Sequence, residues 1–205
     1  MRRCLLPAPL IPAFVLSVAL LPGTAAQPPR AHIAATCGVE RWPVKTLSDP
    51  REKLVNYKPL DSSIGRLRKK PHPHVGPNTK RIEGVETTNY RVATQLVEMK
   101  LEDDREIRLV VSVPSAPSKT MIVEFPDTSC NGASRSPKKA KMRSARSALI
   151  AACGQPSSSR FTKLSGRANI TGVGFFDIPH GQTGVAPNAI ELHPVLKFLA
   201  SSCSH

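Results

Sequence analysis

Strict alternation of hydrophobic and polar residues begins at Tyr90. From Tyr90 to Met99 the period is two, with Tyr90, Val92, Thr94 and Leu96 on one face, which predicts a β-strand. Glu102-Asp103-Asp104-Arg105 is a turn, and Glu106 to Val113 is a second strand with Ile107, Leu109, Val111 and Val113 on one face. Pro114 to Ser118 is another turn, and Thr120 to Phe125 is a third strand closed by Pro126. The period then changes. Lys138 to Cys153 is rich in Ala, Lys, Arg, Met and Leu, all good helix formers, and Met142, Ala145, Leu149 and Ala152 recur at helical spacing as a buried stripe. Gly154 is its natural stop. Asn169 to Phe176 is a fourth strand, in which Gly172 and Gly174 imply bending or a close backbone approach. After a Gly/Pro-bearing loop from Asp177 to Asn188, Ile190 to Phe198 is a fifth strand, where Pro194 implies an edge or a bulge.

Three strands, one helix and two strands is the order of elements in OB-type barrels. The expected fold is therefore mainly β: a five-stranded OB-like barrel (βββ-α-ββ) over residues 81–200, closed by its helix. The preceding residues have no such period. Ser48 to Val55 reads as a short helix with Pro50 in its first turn. Residues 59–80 are rich in Pro, Lys and Arg and read as an irregular arm with a basic patch, Arg66, Arg68, Lys69 and Lys70. Residues 27–80 are thus a leader and arm rather than part of the barrel. The 20 prolines argue against a long-helix protein.

Residues 1–26 read as a secretory signal peptide: Arg2 and Arg3, an apolar run from Leu10 to Leu21, then small residues ending at Ala26. The run is shorter than the roughly 20 residues of a membrane span, and no later segment is long and apolar, so the cleaved protein is expected to be secreted or periplasmic, with no integral membrane association. The net charge is +14, and loss of Arg2 and Arg3 leaves about +12. Charge of that sign concentrates anions at the surface, so an anionic polymer or nucleic acid is the expected partner class. Of five cysteines, Cys4 leaves with the signal; Cys37, Cys130, Cys153 and Cys203 remain. Their spacing lacks any C-x-x-C and is unlike a zinc site. In an oxidising compartment they are disulfide candidates, with three pairings open. Cys130 with Cys153, flanking the helix, and Cys37 with Cys203, tying the ends, is the preferred set.

The densest polar constellation surrounds the last two strands. Glu191 and His193 alternate with Ile190 and Leu192 and share one strand face, while Asp177 and His180 lie just past the preceding strand. Two imidazoles and two carboxylates are the groups needed for acid–base work, and His180 and His193 are candidate metal ligands. The favoured alternative is structural, with Glu191 bonding loop backbone and His193 a satisfied half-buried side chain. Gln182 and Asn188, together with Lys139, Arg143 and Arg146 on one side of the helix, are candidate ligand-binding residues facing an anion. Aromatic residues are only 4% of the chain, which weakens a single-strand nucleic-acid reading based on base stacking. No phosphate-binding loop, dinucleotide fingerprint, G-x-S-x-G or H-E-x-x-H occurs, and no cofactor is indicated.

Four segments carry a resemblance: Glu40 to Thr46 (ERWPVKT), Met99 to Asp104 (MKLEDD), Met121 to Asp127 (MIVEFPD) and Gly172 to Pro194 (GVGFFDIPHGQTGVAPNAIELHP). Together they resemble an uncharacterised family of exported bacterial proteins marked by that last signature, over most of residues 37 to 198. The resemblance implies a histidine in the second strand where this chain has Arg108, and so puts a three-histidine site in doubt here. Met121 to Thr128 is more loosely similar to thermonuclease-type OB barrels, without the arginine and acidic positions that nuclease chemistry needs. Three readings follow. The first is an exported basic OB-like binding module. The second is a metal- or acid–base-dependent hydrolase centred on Asp177, His180, Glu191 and His193. The third is a structural domain with no catalytic site.

Overall fold

The computed structural model describes residues 37–205; the expected signal peptide and the start of the leader lie outside the described residues. The chain is mainly β, a mixed sheet of seven strands in which five close into a ring of pairings. In chain order the elements are α1 (Trp42–Lys45), a 3-10 turn (Glu52–Leu54), β1 (Asn56–Ser62), α2 (Ile64–Leu67), β2 (Thr88–Leu101), β3 (Ile107–Val113) and β4 (Ala116–Phe125). There follow a second 3-10 turn (Ala133–Arg135), α3 (Lys139–Cys153), β5 (Thr162–Lys163), β6 (Ser165–Phe176) and β7 (Ile190–Ser204). The three-strand, helix, two-strand order read from periodicity is present, with β5 a short addition before β6.

The ring closes because β2 is long enough to serve two neighbours. Gln95 is paired to Ser112 of β3 on one edge and to Arg167 of β6 on the other, with a bulge between Leu96 and Glu98. From there β3 pairs with β4, and β6 pairs with β7, all antiparallel. The seam is the parallel contact of β4 with β7, only two residue pairs long: Ile122 with Glu191 and Val123 with Leu192. Pro194 sits where the β6–β7 register shifts between Gly172 and Gly174, so it occupies a bulge. The close approach implied by Gly172 and Gly174 is present: a Cβ on Gly174 would lie 2.7 Å from the Val85 carbonyl oxygen.

Alternate residues of the ring point inward. Tyr90, Val92, Leu96, Leu109, Val111, Met121, Val123, Phe125, Ile170, Leu192 and Phe198 form one apolar core with Ala145, Leu149 and Cys153 of α3. Met142 joins a second, smaller cluster with Leu47, Val55, Ala133, Val173 and Leu196. Ala152, expected in the stripe, is exposed, and Cys153 takes its place. Packing against β7 turns the last helical turn so that the half-cystine faces inward.

The expected short helix at Ser48 to Val55 is replaced by a helical turn upstream, at Trp42–Lys45, and a 3-10 turn at Glu52–Leu54. Asp49 instead accepts a hydrogen bond from the Arg51 N–H and pairs with Arg81. Residues 56–67 are more regular than their composition suggests: β1 pairs in parallel with β2, and Ile64 and Leu67 of α2 enter the main core. Residues 71–87 contain no helix or strand. Two buried arginines fasten this covering segment. Arg41 donates to both oxygens of Glu86 and to the Phe176 carbonyl, and Arg81 donates to Asp49 and to the Val44 and Glu86 carbonyls.

The disulfides join Cys37 to Cys130 and Cys153 to Cys203, with Cα–Cα distances of 5.4 and 5.3 Å. All four cysteines are oxidised, but the pairing corrects the preferred one. Cys130 precedes α3 and Cys153 is its last residue, and a 15-residue helix is about 22 Å long, several times the span of a disulfide. Two disulfides fit an oxidising extracellular compartment. No helix among the described residues is long and apolar enough to cross a membrane.

Candidate functional site

Charged residues occur on the ring's outer face, where an open sheet would meet water. Arg108 of β3 pairs across the strand register with Glu124 of β4, and Glu191 and His193 of β7 alternate away from the core. This face is covered. Glu106, Glu124, Glu191 and His193 are all at most 3% exposed, and His193 and Glu191 have no exposed surface. The cover is α1, which brings Lys45 over the patch, while Phe175 packs its ring edgewise against the His193 imidazole, 5.5 Å between centroids.

His193 is the hub. Its Nε2 lies 2.8 Å from Glu106 Oε1, and its Nδ1 lies 3.0 Å from Glu124 Oε2 and 3.7 Å from Glu191 Oε2. Arg108 Nε donates to Glu124 at 3.0 Å and its Nη1 is 3.4 Å from Glu102. Lys45 Nζ is 3.6 Å from Asp177. Several of these atoms are buried without a hydrogen-bond partner: Glu106 Oε2, both Glu191 oxygens and His193 Nδ1, which faces Glu124 without hydrogen-bond alignment. Among the described residues, Glu106, Glu124 and His193 each offer one ligand atom, and these atoms lie within 4.8 Å of one another.

The electrostatics follow from burial and mutual proximity. Burial pushes Glu191 up to about 8, with the Glu124 and Asp177 carboxylates adding to the rise. Burial also opposes ionisation of Glu124, but His193, Lys45 and Arg108 outweigh it and hold this carboxyl well below its ordinary range. For His193 burial disfavours the cation, yet Glu106, Glu124 and Glu191 raise it well above the usual imidazole value. Lys45 is likewise held above the ordinary lysine value by Glu124, Glu106, Asp177 and Glu191, against its burial. Burial lifts Asp104, at the entrance to β3, to about 6.

The four residues singled out in the sequence divide. Glu191 and His193 are neighbours in the nest, and Asp177 borders it through Lys45. His180 lies outside, exposed, its Nδ1 2.9 Å from the Ile178 carbonyl. Gln182 donates to Asp177 and to the Ile178 carbonyl and accepts from the His180 N–H, while Asn188 donates to the Leu67 and Lys70 carbonyls. Both therefore pin the 177–189 loop. Of the helix cations, Arg146 turns inward to donate to the Phe125 carbonyl at 2.6 Å, Lys139 is half-buried and Arg143 is exposed. They do not converge on one site with Gln182 and Asn188. Glu106, Glu124 and Lys45 are absent from the sequence reading. The signal was present: a glutamate between Val123 and Phe125, and an arginine between Ile107 and Leu109, interrupt otherwise apolar strands.

A second polar feature lies outside the ring. Ser63, Gly65, Arg66, Arg68, Lys69, Lys119 and Pro187 line a groove of about 430 Å3 between α2 and the start of β4. Arg66, Lys69 and Lys119 are exposed, the lining contains no acidic residue, and none of its four cations is ion-paired among the described residues.

No family model matches this chain, and no curated protein or solved structure is significantly similar to it.

Proposed function

We propose that this chain is an exported binding module, an OB-type barrel that holds an anionic polymer in the groove between α2 and β4. The observation that carries this reading is the groove's lining: four cations with no ion-pair partner among the described residues, of which Arg68 also donates to the Thr120 carbonyl, and no carboxylate, on a chain of net charge +14. Anionic chains bind such surfaces through phosphate or sulfate contacts and counterion release. The OB-type assignment is supported by the pairing order of the ring. Its third and fifth strands, β4 and β7, meet in parallel, and a helix is inserted between the third and fourth. The position of the groove also fits, since Pro187 brings in the loop between the last two ring strands, a loop that OB folds use in binding. The two disulfides, the signal-type pattern of residues 1–26 and the likeness to exported bacterial proteins support secretion.

The hydrolase reading is less well supported. Glu191 and His193 are sealed, and His180 points away from them, so the four residues do not meet in an open cleft.

Fluorescence anisotropy with labelled heparin and with a labelled single-stranded oligonucleotide tests the binding reading. We expect affinity to fall linearly in log K against log salt, and Arg66→Glu with Lys69→Glu to weaken binding at least tenfold. Arg143→Glu should change it less than twofold. Salt-independent binding, or equal loss with Arg143→Glu, would remove the groove as the site.

A further inference from the structure

We infer that the sealed nest is a binding site for one divalent transition ion of the zinc or manganese class, held by Glu106, Glu124 and His193. The donors are one imidazole nitrogen and carboxylate oxygens, the set that suits such ions. They come from three neighbouring strands or their ends: Glu106 at the entry to β3, Glu124 on β4 and His193 on β7. Their ligand atoms already lie within 4.8 Å of one another and are buried. Carboxylate and imidazole donors bind zinc at roughly 2.0–2.2 Å, which sets neighbouring donors about 3.4 Å apart. Small side-chain adjustments would complete that shell.

The second observation is the set of orphaned atoms. Buried polar atoms are almost always paired, yet Glu106 Oε2, His193 Nδ1 and both Glu191 oxygens have no hydrogen-bond partner. They flank the two edges of one imidazole, Glu106 beside Nε2 and Glu191 beside Nδ1, so an ion entering on either edge would meet unpaired donors. Glu191 Oε2, 3.7 Å from His193 Nδ1, supplies a further carboxylate at the margin.

Charge fits the same conclusion. The four buried acids Glu106, Glu124, Glu191 and Asp177 face two permanent cations, Lys45 and Arg108. With the imidazole neutral, as a ligand must be, and with Glu191 giving up the proton it holds in the metal-free nest, two negative charges remain for one divalent ion. Arg108 and Lys45 pair with Glu124 and Asp177 at the edges and leave the centre to the metal.

The consequence is mechanical. The β4–β7 seam has only two residue pairs, the shortest junction in the ring. An ion shared by Glu124 on β4 and His193 on β7 would bridge that seam directly. The site is closed to substrate, so its role is structural, and it stands whether or not the outer groove binds a polymer.

The test uses the full mature chain, stripped with a chelator, dialysed, and titrated separately with Zn2+, Mn2+ and Co2+. We expect one tightly bound ion per chain by elemental analysis, visible Co2+ absorption bands, a higher melting temperature, and slower amide exchange in β4 and β7. His193→Gln and the isosteric Glu124→Gln should each lower affinity at least tenfold, whereas His180→Ala should retain full uptake. Absence of stoichiometric uptake by the unsubstituted chain overturns the inference, independent of whether any variant folds. So does uptake that survives Glu124→Gln in a variant whose circular dichroism is native.

Discussion

Glu191 is fully buried beside two other carboxylates and one imidazole. Its protonation gives a pH signature in metal-free protein. Folded Glu191 titrates near 8, whereas unfolded glutamate titrates near 4.5, so its stabilising contribution is complete below 4.5 and is lost as pH rises to about 8. His193, also raised, contributes below its ordinary value near 6.5 and loses that contribution as pH climbs through its higher folded value. Glu124 is depressed and works the other way: its contribution is present above 4.5 and is lost as pH falls. The groups facing Glu191 are His193, Glu124, Glu106, Asp177, Lys45 and Arg108. Urea melts in chelator from pH 4 to 9 should therefore show stability greatest near pH 5 and declining toward pH 8. Glu191→Gln should flatten that decline, and an unchanged slope would show that Glu191 does not set it. At this scale the sequence was half legible. Glu191 and His193 share a face because a strand has a period of two, and that is local information. Glu106 lies 87 residues from His193, and its role appears only once the strand register is known.

At the scale of elements, the five ring strands and α3 were placed from apolar runs bounded by turn residues, but β4, β6 and β7 extend further than read, β4 starting at Ala116 inside the expected turn. β1, α1 and α2 were not placed. β1 is an edge strand, largely exposed, with Leu60 at 55%, so no alternation marks it. α1 and α2 are single turns of four residues, too short for periodicity to emerge. Gly174 is the element-level test of the ring. An added Cβ would lie 2.7 Å from the Val85 carbonyl oxygen and 2.8 Å from Tyr90 Cε2, and backbone cannot yield as a flexible side chain can. Gly174→Ala should cost about 1–3 kcal/mol in denaturant unfolding. A loss below ~0.5 kcal/mol would mean that β6 does not approach the 82–87 turn so closely.

For the molecule as a whole, the disulfides hold what the core does not reach. Cys37–Cys130 fastens the start of the cover to the loop after β4, and Cys153–Cys203 ties the end of α3 to the end of β7. Replacing either pair with alanine should lower stability by about 2–5 kcal/mol. The pair separated by 93 residues should cost only ~0.5 kcal/mol more than the pair separated by 50, because loop entropy grows slowly with length. Peptide mapping without reductant would expose any other pairing. The correct pairing was not legible in spacing, since it depends on α3 separating Cys130 from Cys153.

The ring is sealed by its last strand. β7 pairs with β6 along one edge and with β4 along the other, closing the ring, and it carries two members of the nest. A chain emerging amino-terminus first, from a ribosome or through a membrane pore, therefore holds an open sheet until its last strand is free. Until the stretch from Ile190 onward arrives, the outer edges of β4 and β6 stay bare. Loss of that tail should yield an aggregating polypeptide rather than a smaller folded one, and helper proteins that shield bare edges should matter most in the interval before release.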